Sequence, residues 1–228
     1  MTEIFVDERL LGFCIFCGGE PDTRDHVPPK VFLDKPYPDN LLIVGSCDEC
    51  NGGLSLDEQF VACLLEVVMC GTVEPAGLRR LNIARTLTRS PALAAQLGHG
   101  LQPGGGFLVS EQDGRRLARV LGKIGRALWA YQTQEPTGSL AARVSWNAWL
   151  TMDEDQRTAF LAVRDEVFPE LGSRMFIRLF DGGPNRWMVV QEGRFAYAVE
   201  VLEGGGRVKF IVGDYLAGQV DLVGDVSG

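Results

Sequence analysis

Four cysteines stand in two pairs, Cys14-x-x-Cys17 and Cys47-x-x-Cys50, with 29 residues between the pairs. Thiolates spaced this way grip one metal ion from a tight turn, and two such pairs complete the tetrahedral sulfur set that zinc takes in structural sites. The glycines of Cys17-Gly18-Gly19 suit a knuckle turn in which backbone amides approach the sulfurs. Disulfides are the weaker reading, because paired cysteines in a reducing compartment are more often metal ligands. A redox-active pair would sit beside a thioredoxin-like βαβ pattern, and neither pair does. Cys63 and Cys70 lie in the apolar run FVACLLEVVMC and read as small buried hydrophobes.

The loop between the pairs carries polar residues suited to acid–base and metal chemistry. TRDHVPPKVF contains Asp25 and His26, DNLL contains Asn40, and CDECN places Asn51 directly after the last cysteine. In this order the segment resembles the HNH endonucleases, the zinc-bearing branch of the ββα-metal (treble-clef) nucleases. The resemblance spans roughly residues 12–58, about a fifth of the chain.

The resemblance implies a role for each matching residue. His26 would be the general base that takes a proton from the attacking water, a task suited to an imidazole titrating near neutrality. Asp25 and Asn51 would hold one divalent cation, typically magnesium, through hard oxygen ligands. Asn40 would brace the loop that orients the histidine. Zinc on Cys14, Cys17, Cys47 and Cys50 would be scaffold and not catalyst. Asn51 stands where the best-known members have histidine, which favours magnesium over transition metals. GGLS stands where many members have a lysine, so Lys30 is the candidate for the missing phosphate contact.

Around this segment the chain must supply positioning elements. Ser55-Leu-Asp-Glu58 reads as a capping box opening a helix that runs to about Gly71. A second helical region starts near Pro75, Ser90-Pro91 restarts it, and HGLQPGGG is a glycine-rich break. Residues 115–131 repeat apolar side chains at Leu117, Val120, Leu121, Ile124 and Leu128, with Arg116, Arg119, Lys123 and Arg126 on the opposite stripe. A helix is expected over 153–168. The period then changes to two through SRMFIRLF, RWMVVQE, RFAYAVEVL and RVKFIVGDYL, separated by the turn signals DGGPN, EG and EGGG. The expected fold is α+β: a small N-terminal zinc module over 1–60, a helical region with a basic stripe over 61–135, and an α+β region over 136–228 ending in an antiparallel meander.

Net charge is −8, awkward for a nucleic-acid enzyme, but its placement is uneven: residues 75–131 carry +7 and the remainder −15. Lys30, Arg116, Arg119, Lys123 and Arg126 are therefore the candidate phosphate contacts, with DNA the expected partner. No apolar run reaches the roughly 18 residues of a membrane helix. The N-terminus has acids where a secretory signal has a basic start, so a cytoplasmic protein is expected. Two readings follow: an HNH-type endonuclease, or a catalytically silent zinc module that binds nucleic acid or protein. A zinc-dependent hydrolase is disfavoured, because four cysteines leave no coordination position for water.

Overall fold

The computed structural model describes residues 10–103, 106–180 and 186–224. They form two compact units, one from the chain up to Gly53 together with Leu121 onward, the other from Leu54–Val120. The architecture is mixed α+β with two antiparallel sheets. No helix among the described residues is long and apolar enough to cross a membrane.

The first unit opens with the knuckle around Cys14 and Cys17, then strand β1 (Thr23–Val27), strand β2 (Leu42–Ser46) and the short helix α1 (Asp48–Gly52). β1 and β2 pair antiparallel with Asp25 opposite Val44 and His26 opposite Ile43. Gly45 has a steric reason: a Cβ there would lie 2.5 Å from the Phe13 carbonyl oxygen. Its absence lets β2 accept the Ile15 N–H at 3.1 Å, which ties the knuckle to the hairpin. Ile15, Val27, Phe32, Leu33 and Val44 are buried around this hairpin.

The rest of this unit is a five-stranded sheet in the order β3-β7-β6-β5-β4, built from β3 (Leu140–Ala148), β4 (Met188–Gln191), β5 (Phe195–Leu202), β6 (Gly205–Val212) and β7 (Leu216–Gly224). The meander expected from the period-two pattern is present, with two additions. GDYL does not continue β6: Gly213 and Asp214 both take positive φ in a three-residue hairpin loop closed by Tyr215 N–H on the Val212 carbonyl at 3.2 Å, and β7 starts at Leu216. β3 then pairs with β7 along nine residues, from Leu140 opposite Gly224 to Ala148 opposite Leu216. Helix α5 (Glu111–Thr133) lays its second half on this sheet. A Cβ on Gly125 would meet Val220 at 2.6 Å, and one on Gly206 would strike the Trp129 ring, so both contacts need glycine.

Two expectations in this unit are corrected. SRMFIRLF is helical, α7 (Arg174–Phe180), because the Ser173 hydroxyl accepts the Phe176 N–H at 3.1 Å and the Ser173 carbonyl accepts from Ile177. The helix expected over 153–168 is shorter, α6 (Glu154–Leu161), opened by a capping box between Asp153 and Gln156. It ends early because the chain turns onto β5, where Arg164 N–H bonds the Glu200 carboxylate and Glu166 N–H the Val201 carbonyl, both at 2.8 Å. The DGGPN turn signal lies outside the described residues, as do residues 1–9 of the N-terminal segment.

The second unit is helical: α2 (Ser55–Cys70), α3 (Leu81–Arg89), α4 (Pro91–Gly100) and the first half of α5. α2 is buried almost continuously from Phe60 to Val68, so it is this unit's core helix. Its expected capping box is not formed. The helix starts one residue earlier in hydrogen-bond terms, with Glu58 N–H donating to the Leu54 carbonyl and no side-chain cap. Gly71 closes it in the left-handed conformation, and Pro91 opens α4 at its first turn as expected. Cys63 is buried and Cys70 partly so, its thiol donating to Glu66.

Candidate metal centre and polar site

Cys14, Cys17, Cys47 and Cys50 come together with their sulfurs all within 4.8 Å of one another. Cys17 Sγ and Cys47 Sγ are 3.9 Å apart, close to the edge of about 3.8 Å in a tetrahedron built on zinc–sulfur bonds of about 2.3 Å, and far from a disulfide. All four are free thiols. The knuckle is shaped by Gly18 at positive φ, whose N–H bonds the Cys14 carbonyl at 2.7 Å, while Cys14 N–H bonds the Gly19 carbonyl at 2.8 Å. Burial alone would raise the Cys14 thiol, but backbone N–H groups of Cys47, Cys17 and Phe16 bring it down to about 7. Cys50 is pushed upward by burial and by the neighbouring cysteine sulfurs. Four thiolates this close repel unless a cation sits among them, so the donor set fits a soft tetrahedral ion such as zinc.

On β1 successive residues face opposite sides. Asp25 turns inward, 9% exposed, and His26 remains half-buried on the other side. Asp25 Oδ2 lies 2.8 Å from Lys123 Nζ on α5. The same ammonium donates to Asn51 Oδ1 on α1 at 2.9 Å, and the Asn51 amide nitrogen donates in turn to Thr23 Oγ1 at 3.4 Å. Asp25 and Asn51 thus converge on one cationic atom within the first unit. That atom belongs to Lys123, whose side chain is only 4% exposed. The donor pair assigned to magnesium therefore does not fit a divalent ion as it stands, since such an ion would share its oxygens with a buried ammonium.

His26 is held below its ordinary value by burial first and by the positive charge of Lys30 second, against a smaller opposing pull from Asp25. An imidazole so placed is neutral at neutral pH and can accept a proton. Lys30 is exposed, its ammonium 5.5 Å from the centre of the Tyr37 ring. Asn40 is exposed in the turn that precedes β2. The structure thus brings together Asp25 with Asn51, and His26 with Lys30, and leaves Asn40 at the surface.

Comparisons with protein-family models, with curated proteins and with solved structures find no match for this chain.

The basic stripe of α5 divides into distinct environments. In the second unit Arg116 and Arg119 each bond Asp57 at 2.7 Å, one to each carboxylate oxygen, and Arg116 also stacks on Phe60 at 3.9 Å. Arg119 keeps its side chain 60% exposed. In the first unit Arg126 donates to the Thr137 and Leu140 carbonyls at 2.6 and 2.7 Å, closing the turn between α5 and β3. Thr137 in turn donates through both its N–H and its hydroxyl to the Ile15 carbonyl of the knuckle.

Lys123 is the site residue whose role is hidden at the level of sequence. A signal was present: it sits in Gly122-Lys123-Ile124-Gly125, between glycines that let α5 approach β3 and β7 closely, where a solvated lysine is out of place.

Proposed function

We propose that the N-terminal module is an HNH-type endonuclease site that hydrolyses phosphodiester bonds, in DNA, on a treble-clef scaffold held by structural zinc. The observation that carries this reading is a partly buried His26, kept neutral by burial and by the charge of Lys30, on a strand–strand–helix unit whose four clustered cysteines could hold one metal ion. His26, on the same strand as Asp25, is the general base: it takes a proton from water as the water oxygen bonds to phosphorus. The phosphorus–oxygen bond to the leaving sugar breaks, and that oxygen is protonated from solvent. Lys30, whose charge already acts on His26, offsets phosphate charge at the same face. The test is nicking of supercoiled plasmid by zinc-replete protein, with magnesium, with manganese and with neither. Nicking that His26→Ala abolishes supports the assignment.

The burial of Lys123 against Asp25 favours a second reading, a silent zinc module that binds nucleic acid or protein. Failure to cut DNA or RNA under every divalent ion, with zinc content and fold intact, selects it.

A further inference from the structure

We propose that Lys123 Nζ occupies the divalent-cation position of this module, so that Asp25 and Asn51 hold an ammonium ion supplied by α5 in place of magnesium. The inference rests on reading Asp25 and Asn51 as the module's cation ligands, and it deepens that reading by naming the cation.

Three observations carry it. The first is geometry: Asp25 Oδ2 at 2.8 Å and Asn51 Oδ1 at 2.9 Å are both at bonding distance from the same nitrogen. They are the hard oxygen donors that magnesium takes from protein, and here they meet on a charged N–H donor. The second is charge. The ammonium already offsets the negative charge of Asp25, so that carboxylate has none left for a dication placed among the same oxygens. The third is restraint. The Lys123 side chain is 4% exposed, and its helix is packed closely on the sheet, where a Cβ on Gly125 would lie 2.6 Å from Val220 and one on Gly122 3.4 Å from Val144. The Asn51 amide is oriented to match, presenting its oxygen to Lys123 and its nitrogen to Thr23. A metal ion would take the same amide oxygen, so the buried ammonium, and not the amide orientation, is what distinguishes the two cations.

The arrangement also separates the two halves of the site by task. Asp25, Lys123 and Asn51 fasten β1, α5 and α1 to one another within the first unit. His26 and Lys30 are then left as the groups that meet a phosphate, with no resident dication required at Asp25.

The test is manganese binding, read by electron paramagnetic resonance on zinc-replete protein, which needs no activity. Wild type is expected to bind no Mn2+ at Asp25. Lys123→Ala vacates the position and is expected to gain one Mn2+ per chain, and Asp25→Asn added to that variant is expected to lose it again. Lys123→Met, which removes the charge and keeps the stem, serves if the alanine variant does not fold. The wild-type titration stands by itself: Mn2+ bound to wild type and lost in Asp25→Asn overturns the proposal. So does a folded Lys123→Ala protein that gains no Mn2+. Failure of the nuclease reading looks different, as wild type and variant then cut nothing while the manganese pattern still holds.

Discussion

Lys123 on α5 and Asp25 on β1 form a buried ion pair, 2.8 Å between Nζ and Oδ2, that joins the hairpin of the four-cysteine module to the helix lying on the large sheet. Both side chains are almost fully withdrawn from water, at 4% and 12% exposure. Burying two charges is costly, and their attraction offsets that cost only while both are present.

Removing one partner is therefore expected to cost more than removing both. Lys123→Met should destabilise the first unit by about 3–5 kcal/mol, because Asp25 stays buried with its charge uncompensated. Lys123→Met with Asp25→Asn should recover much of that loss. Urea unfolding of the two single variants and the double variant measures the coupling. Strict additivity of the single effects would show that the pair contributes no joint stability.

The cysteine cluster predicts a metal-dependent module. Four thiols within 4.8 Å of one another repel when ionised, so the segment should lose its fold when the ion is removed. Protein purified without added zinc should carry close to one zinc per chain. Cys47→Ser should lose that metal and expose residues 10–53 to limited proteolysis, while the separate hydrophobic core of Leu54–Val120 stays protected. Full zinc occupancy in Cys47→Ser would contradict the four-thiolate assignment.

These two sites differ in how far the sequence disclosed them. The cysteine pairs are legible because each CxxC is a local turn, and turn chemistry is set by neighbouring residues. The α5 helix and the β5–β6 hairpin are legible for the same reason, through their apolar periods. The Asp25–Lys123 pair is not local: a lysine in a helical stripe reads as solvated until the sheet beneath the helix is known. β3 and β7 are hidden for a related reason, since their pairing joins segments far apart in the chain. α7 is hidden because a single hydroxyl, Ser173, decides between helix and strand in a run whose apolar residues fit either period. Domain boundaries are least legible of all, because α5 carries the chain from one compact unit into the other without a break in its pattern.

If nucleic acid is the partner, only the solvent-facing basic groups should contribute to binding. Arg119 is 60% exposed and Lys30 lies at the surface, whereas Lys123 and Arg126 are committed to internal bonds. Arg119→Glu and Lys30→Glu should weaken DNA binding and reduce the salt dependence, by a slope of roughly 0.9 for each phosphate that is no longer neutralised. Arg126→Gln should instead lower thermal stability, because the Thr137 and Leu140 carbonyls lose their donor. Fluorescence anisotropy at several salt concentrations distinguishes the two. A salt slope untouched by Arg119→Glu and Lys30→Glu would remove both from the binding surface.

The sharpest prediction concerns the titration of His26. Burial and the Lys30 charge disfavour the imidazolium, so its folded-state value lies below the ordinary 6.5. A general base must be neutral, so cleavage should persist below pH 6.5 and fall only as pH drops through the lowered value. The same shift has a stability consequence. The unfolded chain binds the proton more tightly than the folded one, so His26 lowers stability as pH falls below 6.5, and contributes no such penalty above it. The chain has two histidines, His26 and His99, so proton NMR resolves both and His26→Ala assigns them. Lys30→Gln should move the His26 midpoint upward, since it removes a positive charge that lowers it. The acid limb of the nicking rate should move upward by the same amount if His26 is the base. His26→Ala should reduce cleavage by about 10²–10⁴-fold with zinc content unchanged. An NMR midpoint that shifts in Lys30→Gln while the rate profile stays fixed would separate His26 from the chemical step.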